Sequence, residues 1–146
     1  MAITQPHRPV GVAVPQRRLD DPVFQAFTLL RIGFAVAPIL FGLDKFFHVL
    51  VDWDRYLAPE FTDLFNAQAH TLMYAVGAIE IVAGLVVAFR PRFGGYLVAA
   101  WLAGIITNLL LIGDFYDIAL RDFGLLLAAL TLARLATAFD RKPAQA

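Results

Sequence analysis

The chain alternates four long apolar stretches with shorter polar segments. The apolar stretches cover about residues 23–51, 70–89, 94–112 and 115–139. An α-helix rises about 1.5 Å per residue, so each stretch is long enough to cross the roughly 30 Å hydrocarbon core of a bilayer. The pattern therefore predicts an all-α protein, an integral membrane four-helix bundle formed by residues 23–139.

The polar segments predict two tails and a loop at the membrane surface. Residues 1–22 are polar and contain four prolines, which predicts a flexible tail and not a cleaved signal. Residues 140–146 predict a short C-terminal tail. The connection at 52–69 is rich in aromatic side chains, which favour the headgroup boundary. The link at 90–93 is so short that the second and third helices must be antiparallel neighbours.

The composition independently favours a membrane class. Hydrophobic residues make up 60% of the 146 residues and charged residues 16%, with a mean hydropathy of +0.67. This is far from the balance of an average soluble domain. The formal net charge is +0, which gives no reason to expect nucleic acid as a partner. The chain has no cysteine, which excludes iron–sulfur ligation, thiolate zinc sites and quinone-linked disulfide formation.

The distribution of charge predicts the orientation of the helices. Nine of the 12 basic residues fall on the side of the two termini, whereas the opposite side carries eight acidic residues and three basic ones. Cytoplasmic loops of membrane proteins carry an excess of Lys and Arg. Both termini are therefore expected to be cytoplasmic.

Several charges are predicted to lie inside the membrane. Glu80 occupies the middle of about 20 otherwise uncharged residues, at mid-membrane depth. A charge there costs about 2.5–3.5 kcal/mol on insertion scales, so it normally faces the protein interior and has a partner. The uncharged stretches between Arg31 and Asp44, and between Asp122 and Arg134, are shorter than the hydrocarbon core. Some of the charged residues at the ends of these stretches must therefore lie within the hydrocarbon core.

Polar side chains in the outer half of the membrane form a candidate site. This polar intramembrane cluster comprises Asp44, Lys45, His48, Glu80, Asn108, Arg121 and Asp122. Lys45 is expected to pair with Asp122 or Glu80. Arg121 is expected to pair with Asp44 or Glu80 inside the bundle and not to point into lipid. Two interpretations stay open, a salt-bridge network that fixes helix register and a site for a quinone or lipid headgroup.

The remaining polar residues have simpler interpretations. Arg31 and Arg134, in the inner half, are expected to be cytoplasmic-side anchors that extend to lipid headgroups. His48 and His70, at the outer ends of their helices, could ligate a haem or donate to a quinone carbonyl. Interfacial histidines without a ligand are commoner, and no metal site is predicted.

Three segments resemble the DoxX family of four-helix bacterial membrane proteins. They are LLRIGFAVAPILFGLDKFF (29–47), GAIEIVAGLVVAF (77–89) and DIALRDFGLLLAALTLARLA (117–136). The resemblance covers about residues 29–136, and it implies a four-helix bundle in the bacterial cytoplasmic (inner) membrane. Members of the family are similar to the membrane subunit of a thiosulfate:quinone oxidoreductase, and others are associated with membrane redox or oxidative-stress assemblies.

The residues that match the family's segments by position are Lys45, Glu80, Arg121 and Asp122. The resemblance brings no recognisable catalytic motif. It implies a small DoxX-like subunit of a respiratory or other redox assembly, a non-catalytic accessory subunit that acts mainly by helix packing. Its expected partners are membrane lipids and other membrane subunits, with a quinone as the candidate cofactor. The alternative is a quinone-linked oxidoreductase membrane subunit. A proton-coupled transporter with Glu80 as the proton carrier is the least favoured class.

Overall fold

A computed structural model describes residues 20–139, and these residues form helices joined by short connections. The elements are α1 (Pro22–Phe47), a 3-10 turn (Trp53–Tyr56), α2 (Pro59–Phe65), α3 (Ala69–Phe89), α4 (Pro91–Ile112) and α5 (Tyr116–Phe139). Within 20–139 there is no strand, which confirms the predicted all-α class. The tail expected at 140–146, and all but the last three residues of the tail expected at 1–22, lie outside the described residues.

Four of the helices, α1, α3, α4 and α5, are long and apolar enough to cross a membrane. Large apolar side chains cover their outward faces, including Leu29, Ile32, Val36 and Leu40 along α1. Such faces suit contact with lipid tails. The helices therefore fit a multi-pass membrane protein.

Both ends of α1 are fixed locally. The Asp21 carboxylate accepts a hydrogen bond of 3.0 Å from the Val23 amide, and Pro22 occupies the first turn, where its missing N–H does not matter. The helix ends at Phe47, four residues before the end predicted for the first span. It ends there because His48 adopts the left-handed conformation, with φ 51°. The chain then continues through the 3-10 turn and forms α2, a short helix within the predicted connection.

The turn between α3 and α4 follows from a proline. Pro91 disfavours helical geometry at the preceding residue, and Arg90 is non-helical, with φ −134° and ψ 66°. The two helices are neighbours, as predicted from the short link. The end of α4 is set by Gly113, whose φ of 84° suits a residue without a Cβ.

Helix contacts occur mainly within two antiparallel pairs, α1 with α3 and α4 with α5, which meet where α3 packs against α4. Small residues allow the close approach. A Cβ on Gly42 would lie 2.5 Å from the carbonyl oxygen of Gly77, and a Cβ on Gly95 would lie 2.8 Å from that of Ala129. Residues without bulky side chains are enriched where membrane helices meet. The candidate site lies where α1 contacts α3.

Candidate functional site

Lys45 of α1 and Glu80 of α3 form a buried ion pair. The Lys45 Nζ lies 2.7 Å from the Glu80 Oε2, and the two side chains are only 4% and 9% exposed. The adjacent Gly77 makes room for this contact, since a Cβ there would lie 3.1 Å from the Lys45 Cβ. Of the two partners that the sequence left open for Lys45, the structure has Glu80.

Trp53, from the 3-10 turn, covers the ion pair. The Lys45 Nζ lies 3.7 Å from the ring centroid of Trp53, which is cation–π geometry. The indole Nε1–H donates a hydrogen bond of 2.6 Å to the Asp44 Oδ2. Trp53 therefore connects both consecutive charges at the end of α1. Sequence reasoning placed this residue only at the headgroup boundary, and its contribution to the site was missed.

Asp44 fixes the chain that follows α1. Its Oδ1 accepts hydrogen bonds of 3.0 Å from the amides of Val49 and Leu50, in addition to the indole bond from Trp53. These three donors satisfy the carboxylate. The expected pairing of Asp44 with Arg121 is wrong, because the turn after α1 supplies the partners of Asp44.

Arg121 and Asp122 pair with each other on α5. The Arg121 Nη2 and Nε lie 3.0 and 3.1 Å from the Asp122 Oδ1. The Arg121 side chain is 65% exposed, whereas that of Asp122 is 7% exposed. Consecutive residues are about 100° apart around a helix, so only one of them takes the inward position. The expectation that Arg121 pairs internally with Asp44 or Glu80 is wrong, because Asp122 takes that position.

Asp122 and Trp101 complete the surroundings of Glu80. The buried Asp122 carboxylate is close enough to act on Glu80 electrostatically. The Trp101 indole lies beside Glu80, and its buried Nε1 has no hydrogen-bond partner among the described residues. Glu80 thus has one bonded cation, Lys45, and an acidic neighbour, Asp122.

Asn108 of α4 binds the connection between α1 and α3. Its Oδ1 accepts a hydrogen bond of 2.8 Å from the Ala58 amide, and its Nδ2 donates one of 2.6 Å to the Tyr56 carbonyl. The two bonds tie the end of the 3-10 turn and the residue before α2 to α4. Asn108 therefore fixes the loop and makes no bond to the charged members of the predicted cluster.

His48, which follows α1, lies against His70 in the first turn of α3. Their rings stack with centroids 4.9 Å apart and planes 15° apart. The His70 Nδ1 lies 3.1 Å from the Asp54 Oδ2, and its Nε2 lies 2.7 Å from the Tyr74 hydroxyl. His48 Nε2 is buried and has no hydrogen-bond partner. Asp54, which sequence reasoning did not single out, belongs to this group.

Arg31 and Arg134, the two predicted anchors, differ in their surroundings. Arg31 donates a hydrogen bond to the Ala88 carbonyl, in the last turn of α3, so its guanidinium binds protein. Its role as a headgroup anchor stays a prediction. Arg31 also lines a shallow apolar groove with Phe24 and Phe27. Arg134 is exposed.

The Lys45–Glu80 pair is closed. One surface pocket in the described part of the chain lies at the end of α2 and another lies beside Arg31, and neither is lined by Lys45 or Glu80. The pair is suited to holding α1 and α3 in register. Comparison of the chain with protein-family models, curated proteins and solved structures finds no match.

Proposed function

We propose that the protein is a small accessory subunit that packs its membrane helices against partner subunits of a redox assembly. In this proposal α1, α3, α4 and α5 form one bundle in the bacterial cytoplasmic membrane, with both termini in the cytoplasm. The orientation rests on the charge distribution described above. The bacterial and redox setting rests on the resemblance to DoxX proteins in residues 29–136.

One observation carries the packing proposal, a row of small side chains on the outward face of α4. The row consists of Ala100, Ala103, Gly104 and Thr107, all of them exposed. A Cβ on Gly104 would meet no atom within 4 Å. In membranes, small side chains let helix backbones approach closely, and helix association depends on such packing. This face is therefore suited to a partner helix.

The outward face of α1 offers a contrast within the same chain. Its exposed residues include Leu29, which is 72% exposed, and Leu40, which is 57% exposed. Large flexible side chains of this kind suit lipid tails. The inward small residues of α4, Gly95 and Ala99, are already used against α5 and the core. The outward row has no partner among the described residues.

The buried Lys45–Glu80 pair favours a structural role for the interior of such a subunit. Each charge is neutralised by the other, and Trp53 covers the pair from the loop side. A buried pair of this kind needs no ligand to be satisfied. Its role in the proposal is to fix the register of α1 and α3, while the outer surface binds the partner.

A quinone-linked oxidoreductase subunit is the second candidate, favoured by the Trp101 indole. Its Nε1–H is a buried donor without an acceptor, and it lies beside Glu80. Together with the Lys45 ammonium it could hold a quinone carbonyl if Trp53 moved away. This candidate requires the site to open.

Purification in mild detergent from native membranes tests the packing proposal. Gly104→Ile places a branched side chain in the small-residue row, and Gly33→Ile is the matched control, since a Cβ on Gly33 also meets no atom within 4 Å. We expect the wild type and Gly33→Ile to retain the same partner subunits, identified by mass spectrometry, and Gly104→Ile to lose them while remaining folded. Equal retention by both variants would contradict the proposal.

A quinone-reduction assay on the isolated chain tests the second candidate. Turnover that survives removal of all partners and disappears in Lys45→Met would favour the oxidoreductase. Under the accessory-subunit proposal the isolated chain is inactive.

A further inference from the structure

We propose that His48, Asp54 and His70 form a binding site for a divalent first-row transition metal ion, with Zn²⁺ as its representative. The three side chains come from three different elements. His48 follows α1, Asp54 lies in the 3-10 turn, and His70 lies in the first turn of α3. An ion bound there would tie these elements together at the face where α1 ends.

The ligand atoms are already close. One atom from each of the three side chains lies within 4.8 Å of the other two. The Asp54 Oδ2 and the His70 Nδ1 are 3.1 Å apart. With bonds of about 2.0–2.1 Å, a tetrahedral zinc site needs ligand atoms roughly 3.4 Å apart. The widest separation, at most 4.8 Å, exceeds this spacing by no more than about 1.4 Å.

Two polar atoms of the cluster lack partners. The His48 Nε2 and the Asp54 Oδ1 are both buried, and neither has a hydrogen-bond partner. Buried polar atoms nearly always have one, and a bound ion is a recognised reason for an exception. An imidazole nitrogen and a carboxylate oxygen are among the ligands that zinc takes in proteins. A single cation would satisfy both atoms.

His70 is oriented by a partner outside the site. Its Nε2 is 2.7 Å from the Tyr74 hydroxyl, so its Nδ1 faces Asp54. Metal-binding histidines usually hold their second ring nitrogen in this way, which fixes the ring. A neutral His70 that binds the ion through Nδ1 carries its proton on Nε2, where it would be donated to the Tyr74 hydroxyl.

The position of the cluster allows an ion to enter from water. The His70 side chain is 47% exposed and that of Asp54 is 33% exposed. Acidic residues outnumber basic ones on this side of the chain, which favours cations near the surface. Two imidazoles and one carboxylate leave a coordination position for water or for a group from another molecule. The donor set matches mononuclear sites of Zn²⁺ and of non-haem Fe(II).

Zn²⁺ titration of the full chain tests the site. The protein is purified in detergent, freed of any affinity tag and stripped with a chelator, and Zn²⁺ alone is added in a calorimeter. The variants are His48→Asn, Asp54→Asn and His70→Gln, and Asn is chosen at 48 because it tolerates the left-handed backbone. His7→Gln is the matched control, since His7 is the only other histidine in the chain and lies outside the described residues.

We expect one equivalent of Zn²⁺ to bind the wild type and His7→Gln with equal affinity. Each of the three variants is expected to bind Zn²⁺ at least about tenfold more weakly. Even the loss of a residue that only hydrogen-bonds to a metal ligand lowers metal affinity about 10–100-fold. Circular dichroism of the metal-free variants checks that they are folded. Co²⁺ gives a second readout, a visible absorption band that the variants lose. Wild-type binding no tighter than that of folded His48→Asn and Asp54→Asn would overturn the proposal.

Discussion

Replacing Glu80 by Gln would leave the Lys45 ammonium buried without the carboxylate that is bonded to it. The two side chains are 4% and 9% exposed, so neither water nor lipid headgroups can take over the missing charge. Removing one partner of a buried ion pair costs about 3–5 kcal/mol. The Trp53 ring offsets only part of this loss, since a cation–π contact contributes about 0.5–2 kcal/mol. We expect Glu80→Gln to lower the free energy of unfolding by about 3 kcal/mol.

Two further variants separate the buried charge from other effects of the substitution. Glu80→Gln combined with Lys45→Met removes both charges, and neutral replacements of a whole buried pair are often tolerated. The double variant should therefore be more stable than Glu80→Gln alone. Arg121→Gln is the control for an exposed pair, and it should cost at most about 1 kcal/mol.

Unfolding in mixed detergent micelles, followed by tryptophan fluorescence, measures these differences. The chain has two tryptophans, Trp53 and Trp101, and both lie beside the ion pair, so the signal reports on the site itself. A loss for Glu80→Gln no larger than that for Arg121→Gln would refute the reasoning. So would a double variant that is less stable than Glu80→Gln.

Three further predictions concern topology, packing and the loop. Reporter fusions before Met1 and after Ala146 should both read as cytoplasmic, and a periplasmic reading for either would refute the orientation. Gly77→Val should cost about 1–3 kcal/mol in detergent unfolding because a Cβ there lies 2.7 Å from the Gly42 carbonyl oxygen, whereas Gly33→Val should change little; equal effects would argue against the close α1–α3 contact. Asn108→Ala leaves two backbone groups of the connection without partners, so hydrogen exchange around residues 56–58 should become faster, and unchanged exchange would show that other contacts hold this segment.

The membrane helices were predictable because the signal is the length of an apolar run. The four runs in the sequence correspond to α1, α3, α4 and α5. The early end of α1 was not predictable from hydropathy, since residues 49–51 are apolar. It depends on the left-handed His48 and on the Asp44 carboxylate, which binds the next two amides after His48. Hydropathy counts apolar residues and does not detect local hydrogen bonds of this kind.

The rotation of each helix about its own axis was the weaker part of the prediction. In a membrane both the lipid-facing and the buried sides of a helix are apolar, so hydrophobic periodicity gives little guidance. Small residues helped on α3, where Gly77 and Glu80 share the buried face. On α5 the sequence offered Arg121 and Asp122 as inward residues, and only Asp122 faces inward.

The cluster of His48, Asp54 and His70 could not be predicted from the sequence, for a different reason. Its members are separated by irregular backbone, and their spacing matches no metal-binding motif. They meet only because α1 ends early and the 3-10 turn passes over the first turn of α3. Trp53 contacts Lys45 for the same reason, because it lies in the same 3-10 turn as Asp54.

Cross-linking from a single engineered cysteine tests the central claim most directly, because the chain has no cysteine of its own. Gly104→Cys places the thiol in the outward small-residue row of α4, and Gly33→Cys places it on the lipid-facing side of α1. After treatment of native membranes with a short thiol-to-amine or photoactivated cross-linker, we predict a discrete adduct with another membrane protein from position 104 and none from position 33. No adduct from position 104, equal adducts from both positions, or an adduct only between two copies of this chain would contradict the account.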